Sequence, residues 1–287
     1  MQVHRYRGDR DTVGLILRTY ASNPEDVAKR VSMLASVITK PVMERFSRID
    51  VLIHADQRFA EKDRDCGKLA DALRQEPLLR DRKGVHVEEV KHGDLFCGLL
   101  NHGIAKQARM GCEYSVILSP DAGSYLTEET MTAMLAAASN GALAVGVAIN
   151  ELAPSIREGR LANTLCLWHN QSLQTVGGFD QKAAKPVDER LAHYMRGSSQ
   201  GKEVFYQLAG VEEVIPLARM VELFGPCLAV VEPQGGPAAY EIPDPVTQPD
   251  LYKRHMSKLG TKFERQATLL GSAGFDFSYL AGGVMKG

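Results

Sequence analysis

The stretch Glu113–Thr130, EYSVILSPDAGSYLTEET, decides how the rest of the chain is read. An apolar run ends at Leu118, surfaces into Ser119-Pro120-Asp121, and gives way within six residues to the helix start Thr127-Glu128-Glu129. A buried strand that surfaces and then turns into a helix is half of a βαβ unit. Ligands of a parallel sheet bind beyond the carboxyl ends of its strands, which is where Asp121 stands. Asp is also a common turn and capping residue, so it has a purely local reason to be there.

The same unit recurs on both sides. TVGLILRTY (12–20) is a continuous apolar run ending in polar residues, as a buried parallel strand does. In SNPEDVAKRVSMLASVI (22–38), Asn23 suits a cap, Pro24 the first helical position, and Glu25 and Asp26 the first turn. Val27, Val31, Leu34 and Ile38 then fall at helical spacing. IDVLIHAD (49–56), GVHVEEV (84–90) and ALAVGVAI (142–149) read as strands. DRDCGKLADALRQE (63–76), FCGLLNHGIAKQARMG (96–111) and TEETMTAMLAAASNG (127–141) read as helices, the last two ended by Gly111 and Gly141. This alternation predicts an α/β fold with a mostly parallel central sheet flanked by helices. It weakens after residue 150. The spacing predicts a main domain over 1–232 and a Pro-rich connector over 233–250. A C-terminal extension over 251–287 follows, made of one helix, LYKRHMSKLGTKFERQATLL (251–270), and a loosely held Gly-rich tail.

Composition narrows the function. The 287 residues carry 34 Lys and Arg against 35 Asp and Glu, a net charge of −1, so nothing global favours nucleic acid. The cysteines stand at 66, 97, 112, 166 and 227 without Cys-x-x-Cys spacing, which argues against a disulfide framework or zinc site and fits a reducing cytoplasm. MQVHRYRGDRDT (1–12) lacks the apolar core of a signal peptide. MLAAASNGALAVGVAI (134–149) is too interrupted to cross a bilayer, which needs about 20 apolar residues.

Three predicted strand ends carry polar residues: Arg18-Thr19-Tyr20, His54-Ala55-Asp56 and Ser119-Pro120-Asp121. Their convergence on one rim suits a nucleotide, with Asp56 on the base or ribose and Asp121 near the phosphates through a cation. Trp168, beside His169, is a candidate platform for a sugar ring, or else a core residue. Glu212 and Glu213 open EEVIPLARMVELFG, a helix that accepts Pro216 only in its first turn. Glu213 is therefore either a dipole-complementing carboxylate or a general base. Arg254, Lys258, Lys262 and Arg265 form a basic stripe, either a solvated face or a peripheral contact with an anionic membrane.

In this order the pieces resemble a glycosyltransferase of the GT-A fold, family 2 type, over roughly residues 12–232. LILRTYASNPEDVAKRVSML (15–34) resembles the opening strand and nucleotide loop, and VLIHAD (51–56) the second strand with its uracil-contacting Asp. NHGIAKQARMGCEYSVILSPDAGSYLTEETMTAML (101–135) resembles the segment leading into the Asp-x-Asp motif. LWHNQSLQTVGGFD (167–180) resembles the acceptor-side stretch, and GVEEVIPLARM (210–220) the Glu-Asp motif followed six residues later by Arg.

The resemblance implies a Rossmann-like GT-A sheet and an inverting transfer from a nucleoside-diphosphate sugar, a UDP-sugar, to the hydroxyl of a carbohydrate or lipid-linked acceptor. It implies donor binding by Arg18, Thr19, Tyr20, Asp56, Lys91 and Asp121, acceptor binding by Trp168, His169 and Asp180, and Glu213 as base. Arg219, about two turns along the same helix, is expected to anchor structure rather than touch substrate. Two positions depart from the pattern. One carboxylate, Asp121, stands where two or three are usual, and Glu213 replaces an Asp. Asp121 is expected to hold Mg²⁺ or Mn²⁺ through the donor diphosphate, or else the phosphates rest on basic groups such as Lys91 and His92. The same departures suit a nucleotide-sugar-binding scaffold without turnover. A sugar-phosphate nucleotidyltransferase is the third alternative, although LRTYASNPED (17–26) lacks its Gly-rich loop.

Overall fold

In the computed structural model of the chain, residues 13–21, 23–55, 65–91, 95–149, 153–184, 190, 192–233 and 244–285 are described. The apolar runs become the strands Val13–Thr19 (β1), Arg48–His54 (β2), Val85–Val90 (β3), Tyr114–Leu118 (β4), Ala144–Val147 (β5) and Leu165–His169 (β6). A hairpin, Tyr194–Ser199 (β7) and Lys202–Gln207 (β8), and the strand Leu228–Val231 (β9) follow. The helices are Pro24–Ile38 (α1), Cys66–Gln75 (α2), Pro77–Arg80 (α3), Leu95–Arg109 (α4), Glu128–Ser139 (α5) and Ala153–Arg157 (α6). After them come Asn170–Thr175 (α7), Val214–Phe224 (α8), Pro249–Gly260 (α9), Lys262–Ser272 (α10) and Phe277–Gly283 (α11).

The caps form as their chemistry predicts. The Asn23 side chain accepts from the Asp26 N–H at 2.9 Å, and Thr127 from the Thr130 N–H at 3.2 Å. Pro216 falls in the first turn of α8, where its missing N–H costs nothing.

One seven-stranded sheet has the order β3-β2-β1-β4-β6-β5-β9, with β6 alone antiparallel to its neighbours. The sheet is covered on both faces. Leu15 and Leu17 of β1 pack with Leu34 and Ile38 of α1, Leu69 of α2 and Met131 of α5. Ile16, between them, packs on the opposite face with Leu99 and Ile104 of α4, Leu217 of α8 and Leu269 of α10. That is the alternation of a strand buried on both sides, and each such aliphatic side chain contributes about 1.5–3 kcal/mol of burial.

A buried polar network lies toward the amino ends of the strands. Asp50, fully buried, accepts from Arg48 at 2.7 and 2.9 Å and from the Gln107 amide at 3.1 Å. Gln107 also donates to the Leu15 carbonyl and accepts from Ser115 Oγ. Gly14 leaves room for that amide, because an added Cβ would overlap it.

Two expectations for the C-terminus are corrected. The single helix over 251–270 is two, parted at Thr261. Gly260 weakens the helix at that point, and Arg265 Nη2 donates to the Lys258 carbonyl at 2.6 Å. The Gly-rich tail is not loosely held. Leu280 is buried, the Cys227 N–H donates to the Gly283 carbonyl at 3.0 Å, and Val284 bridges in parallel to Leu228 on β9. Most of the Pro-rich connector, 234–243, lies outside the described residues. No described helix is long and apolar enough to cross a membrane.

Candidate functional site

From β1 the chain winds through β2 to β3, then returns to lay β4 on the other side of β1. The carboxyl ends of β1 and β4 therefore flank a topological switch point, where doubly wound sheets open a crevice. Thr19 and Tyr20 come to one side of it. Asp121 comes to the other, in the two-turn 3-10 segment Pro120–Tyr125 after β4.

At this rim, Thr19 is 5% exposed and its hydroxyl has no hydrogen-bond partner among the described residues. Arg18 points to the other face of the sheet, with its guanidinium carbon 3.5 Å from the centre of the Phe96 ring on α4. Tyr20 is exposed, and the Arg30 guanidinium lies 5.6 Å from its ring centre. Arg30 Nη1 donates to Asp121 Oδ1 at 3.3 Å, and Ser119 Oγ donates to Oδ2 at 3.4 Å. Lys40 Nζ donates to the Gly123 carbonyl and so pins the turn that carries Asp121. Lys91 is exposed at the end of β3, two strand spacings or roughly 10 Å from β1. Asp56 and His92 lie outside the described residues.

The acceptor-side expectations for Trp168 and His169 are corrected by the direction of β6. Leu165 pairs with Leu118 at the rim, while His169 pairs with Tyr114 at the far end of β4. Four residues at about 3.3 Å each set His169 roughly 13 Å from the rim. There His169 Nδ1 caps α7, accepting from the Ser172 N–H at 3.2 Å. Trp168 is fully buried, edge-on to Phe179 at 5.2 Å, and its indole N–H donates to Asn163 Oδ1 at 3.0 Å. A ring with no exposed surface offers a sugar nothing to stack on.

Asp180 accepts from the Lys182 N–H at 2.9 Å. The preceding Gly177-Gly178-Phe179 turn is held to α4 by Asn101, which bonds both the N–H and the carbonyl of Phe179. Both glycines take positive φ, 95° and 73°, and a Cβ on Gly178 would come 2.5 Å from Asn101 Oδ1.

Glu213 is 2% exposed rather than open at a helix end. It makes no capping bond in α8, and its carboxylate instead meets Lys262 Nζ of α10 at 3.3 Å. Burial pushes the Glu213 carboxyl up to about 7, against the pull of Lys262, and neighbouring Glu212 adds to the rise. Glu212 is also buried, and its Oε2 has no hydrogen-bond partner among the described residues. Arg265 is buried beside the pair. Burial lowers its pKa while Glu213 and Glu212 hold it up, and its Nη1 donates to the Ala209 carbonyl. Two members of the expected basic stripe, Lys262 and Arg265, thus face inward, so the stripe is not a continuous solvent face. The Arg254 side chain lies outside the described residues. Arg219 donates to the Val176 carbonyl at 3.1 Å, the anchoring role its position suggested.

Four of the charged groups, Glu212, Glu213, Asp180 and Arg18, act electrostatically on Cys97 in the first turn of α4. Burial raises its thiol pKa, the charges of Glu212, Glu213 and Asp180 raise it further, and Arg18 opposes them. The end of β1, the start of α4, the Gly-Gly-Phe-Asp turn and the start of α8 are therefore within electrostatic reach of one sulfur.

A divalent cation at Asp121 would sit beside the Arg30 guanidinium. No group of three or more His, Cys, Asp or Glu among them converges as a ligand set. Both oxygens of Asp121 are engaged, and the Arg30 guanidinium lies beside one of them. A dication about 5 Å from that guanidinium meets roughly 7 kcal/mol of repulsion at an effective dielectric of about 20.

Sequence reasoning missed Arg30 and the inward turn of Lys262, and gave Glu212 no role beside Glu213. Arg30 carries no local signal, since it reads as one cation on a polar helix face. Lys262 was visible in the four-residue spacing of the stripe, but spacing does not tell which way a stripe faces.

The chain matches no family model and no curated protein.

Proposed function

We propose that the chain is an inverting glycosyltransferase of the GT-A type, moving a sugar from a nucleoside-diphosphate donor, a UDP-sugar, to an acceptor hydroxyl. What supports this reading is a buried carboxylate pair, Glu212–Glu213, at the start of α8, together with a β1/β4 switch point at the carboxyl ends of the strands. Thr19, Tyr20 and Asp121 stand at the carboxyl ends of β1 and β4, the switch-point position at which doubly wound sheets bind nucleotides. In the reaction the acceptor oxygen attacks the anomeric carbon as the bond to the diphosphate breaks, and the hydroxyl proton passes to a carboxylate. A carboxyl near 7 suits a general base at neutral pH. Glu213 is covered by Lys262, so the unpartnered oxygen of Glu212 joins it as a candidate proton acceptor.

The covering of Glu213 also favours a second reading, a nucleotide-sugar-binding protein without turnover. Thermal unfolding with UDP, GDP and CDP decides first. A ligand at a hundred times its Kd stabilises by about 2.7 kcal/mol, and a chain that no nucleoside diphosphate stabilises is not this transferase. Hydrolysis or transfer of a UDP-sugar decides next. Turnover abolished in Glu213→Gln or Glu212→Gln with nucleotide binding kept supports the transferase, whereas binding without turnover in the unaltered chain supports the scaffold.

A further inference from the structure

We propose that Arg30 is the cation that receives the donor's diphosphate, and that Asp121 orients Arg30 instead of holding a metal, so that the site binds its nucleotide without a divalent ion. This rests on the reading of the rim as a nucleoside-diphosphate site.

Arg30 reaches the rim from α1, which follows β1, while Asp121 reaches it from the turn after β4. Their 3.3 Å ion pair therefore spans the two sides of the switch point. The guanidinium commits little of its donor capacity. Nη1 is shared by Asp121 Oδ1 and, at 3.8 Å, the Met33 sulfur, while Nε and Nη2 make no hydrogen bond among the described residues. Nε–H and Nη2–H are one edge of the planar fork, the edge that pairs two oxygens of a phosphate at once. Asp121 holds the opposite part of the group, and the Tyr20 ring lies along it at 5.6 Å. Such a partly exposed ion pair adds little to stability, so the fold does not require it.

The carboxylate and the guanidinium meet where the resemblance expects an acidic motif and a dication. With one carboxylate present, a positive charge supplied by the chain itself meets the same electrostatic need. It faces the negative charge that builds on the diphosphate as the sugar leaves.

Asp121→Asn separates the two arrangements by sign. If Asp121 binds a metal, the substitution abolishes metal-dependent nucleotide binding. If Asp121 only orients Arg30, the Asn amide oxygen still accepts from Nη1 while the competing negative charge is gone, and UDP binds as well as before or several-fold tighter. The measurement is calorimetric titration of UDP into the whole chain, in EDTA and then in Mn²⁺. Each unliganded variant is first checked for an unchanged melting temperature. The expected result is binding in EDTA that Mn²⁺ does not strengthen, at least tenfold weakening in Arg30→Ala, an intermediate loss in Arg30→Lys, and no loss in Asp121→Asn. Binding that needs Mn²⁺ and disappears in Asp121→Asn overturns the proposal and leaves the transferase reading standing. Wild-type affinity in Arg30→Ala also overturns it. If UDP, GDP and CDP all fail to bind in either buffer, the nucleotide-site reading falls, and this proposal with it.

Discussion

Lys262 Nζ lies 3.3 Å from Glu213 Oε1, joining the start of α10 to the start of α8 inside the fold. Burial and this ion pair act on Glu213 in opposite directions, and burial wins. Its carboxyl stands at about 7 against an ordinary 4.5, so the folded state takes up the proton more readily than the unfolded chain. The stability this contributes is complete below about pH 4.5 and is lost as pH rises through about 7. The loss is on the order of 3 kcal/mol. Melting temperatures from pH 5 to pH 8 should fall in the wild type and fall less steeply in Glu213→Gln. An equal slope in both would assign the titration to another group.

Lys262→Met takes away the one cation shown to pair with Glu213, which drives the carboxyl further up. The variant should lose more stability at pH 8, where the wild-type carboxylate is charged, than at pH 5, where it is protonated. Chemical denaturation at the two pH values measures this, and a uniform loss would make Lys262 a packing residue only.

Asp50 behaves in the opposite sense. Burial pushes its carboxyl up, but hydrogen bonds from Arg48 and Gln107 and the charge of Lys106 outweigh burial and hold it below the usual 3.8. Its contribution is present above pH 3.8 and is lost as pH falls through the lower folded value. Asp50→Ala leaves Arg48 and Lys106 without their shared buried partner and should cost about 3–5 kcal/mol near neutrality. The cost should shrink on acidification, as urea titrations at pH 7 and pH 3 can measure.

Trp168→Ala should cost about 3–5 kcal/mol, as expected for a fully buried aromatic. Trp168→Phe should cost less and leave any UDP-induced rise in melting temperature unchanged. A loss of acceptor affinity in a well-folded Trp168→Phe would restore the stacking role.

Gly283→Val should destabilise by about 1–3 kcal/mol through overpacking, because its Cβ would run into the Val221 side chain of α8. A neutral result would make the docked tail dispensable to the fold.

Much of the architecture was legible in the residues. Asn23, Thr127 and Gly141 mark helix ends through bonds or φ values that involve their own neighbours, and all three act as their types predict. The continuous apolar runs of β1 and β4 announce strands buried on both faces. The site was less legible. Arg18-Thr19-Tyr20, His54-Ala55-Asp56 and Ser119-Pro120-Asp121 were expected on one rim; the ends of β1 and β4 flank the switch point, Arg18 turns to the α4 face, and Asp56 lies outside the described residues. Trp168 and His169 were expected beside them, but an antiparallel β6 carries them away. A short apolar strand has the same composition whichever way it runs, so LCLW (165–168) holds no record of direction.

The sequence by itself determined the alternation of strands and helices, their caps and the mostly parallel sheet, because those depend on side-chain period and on hydrogen bonds a few residues long. Only the tertiary structure decided that Asp121 meets Arg30, that Glu213 is sealed by Lys262, and that the C-terminal segment is part of the packed body. These outcomes depend on which faces of distant helices turn inward. Desolvation and ion pairing settle that together, between groups that only the folded chain brings within reach.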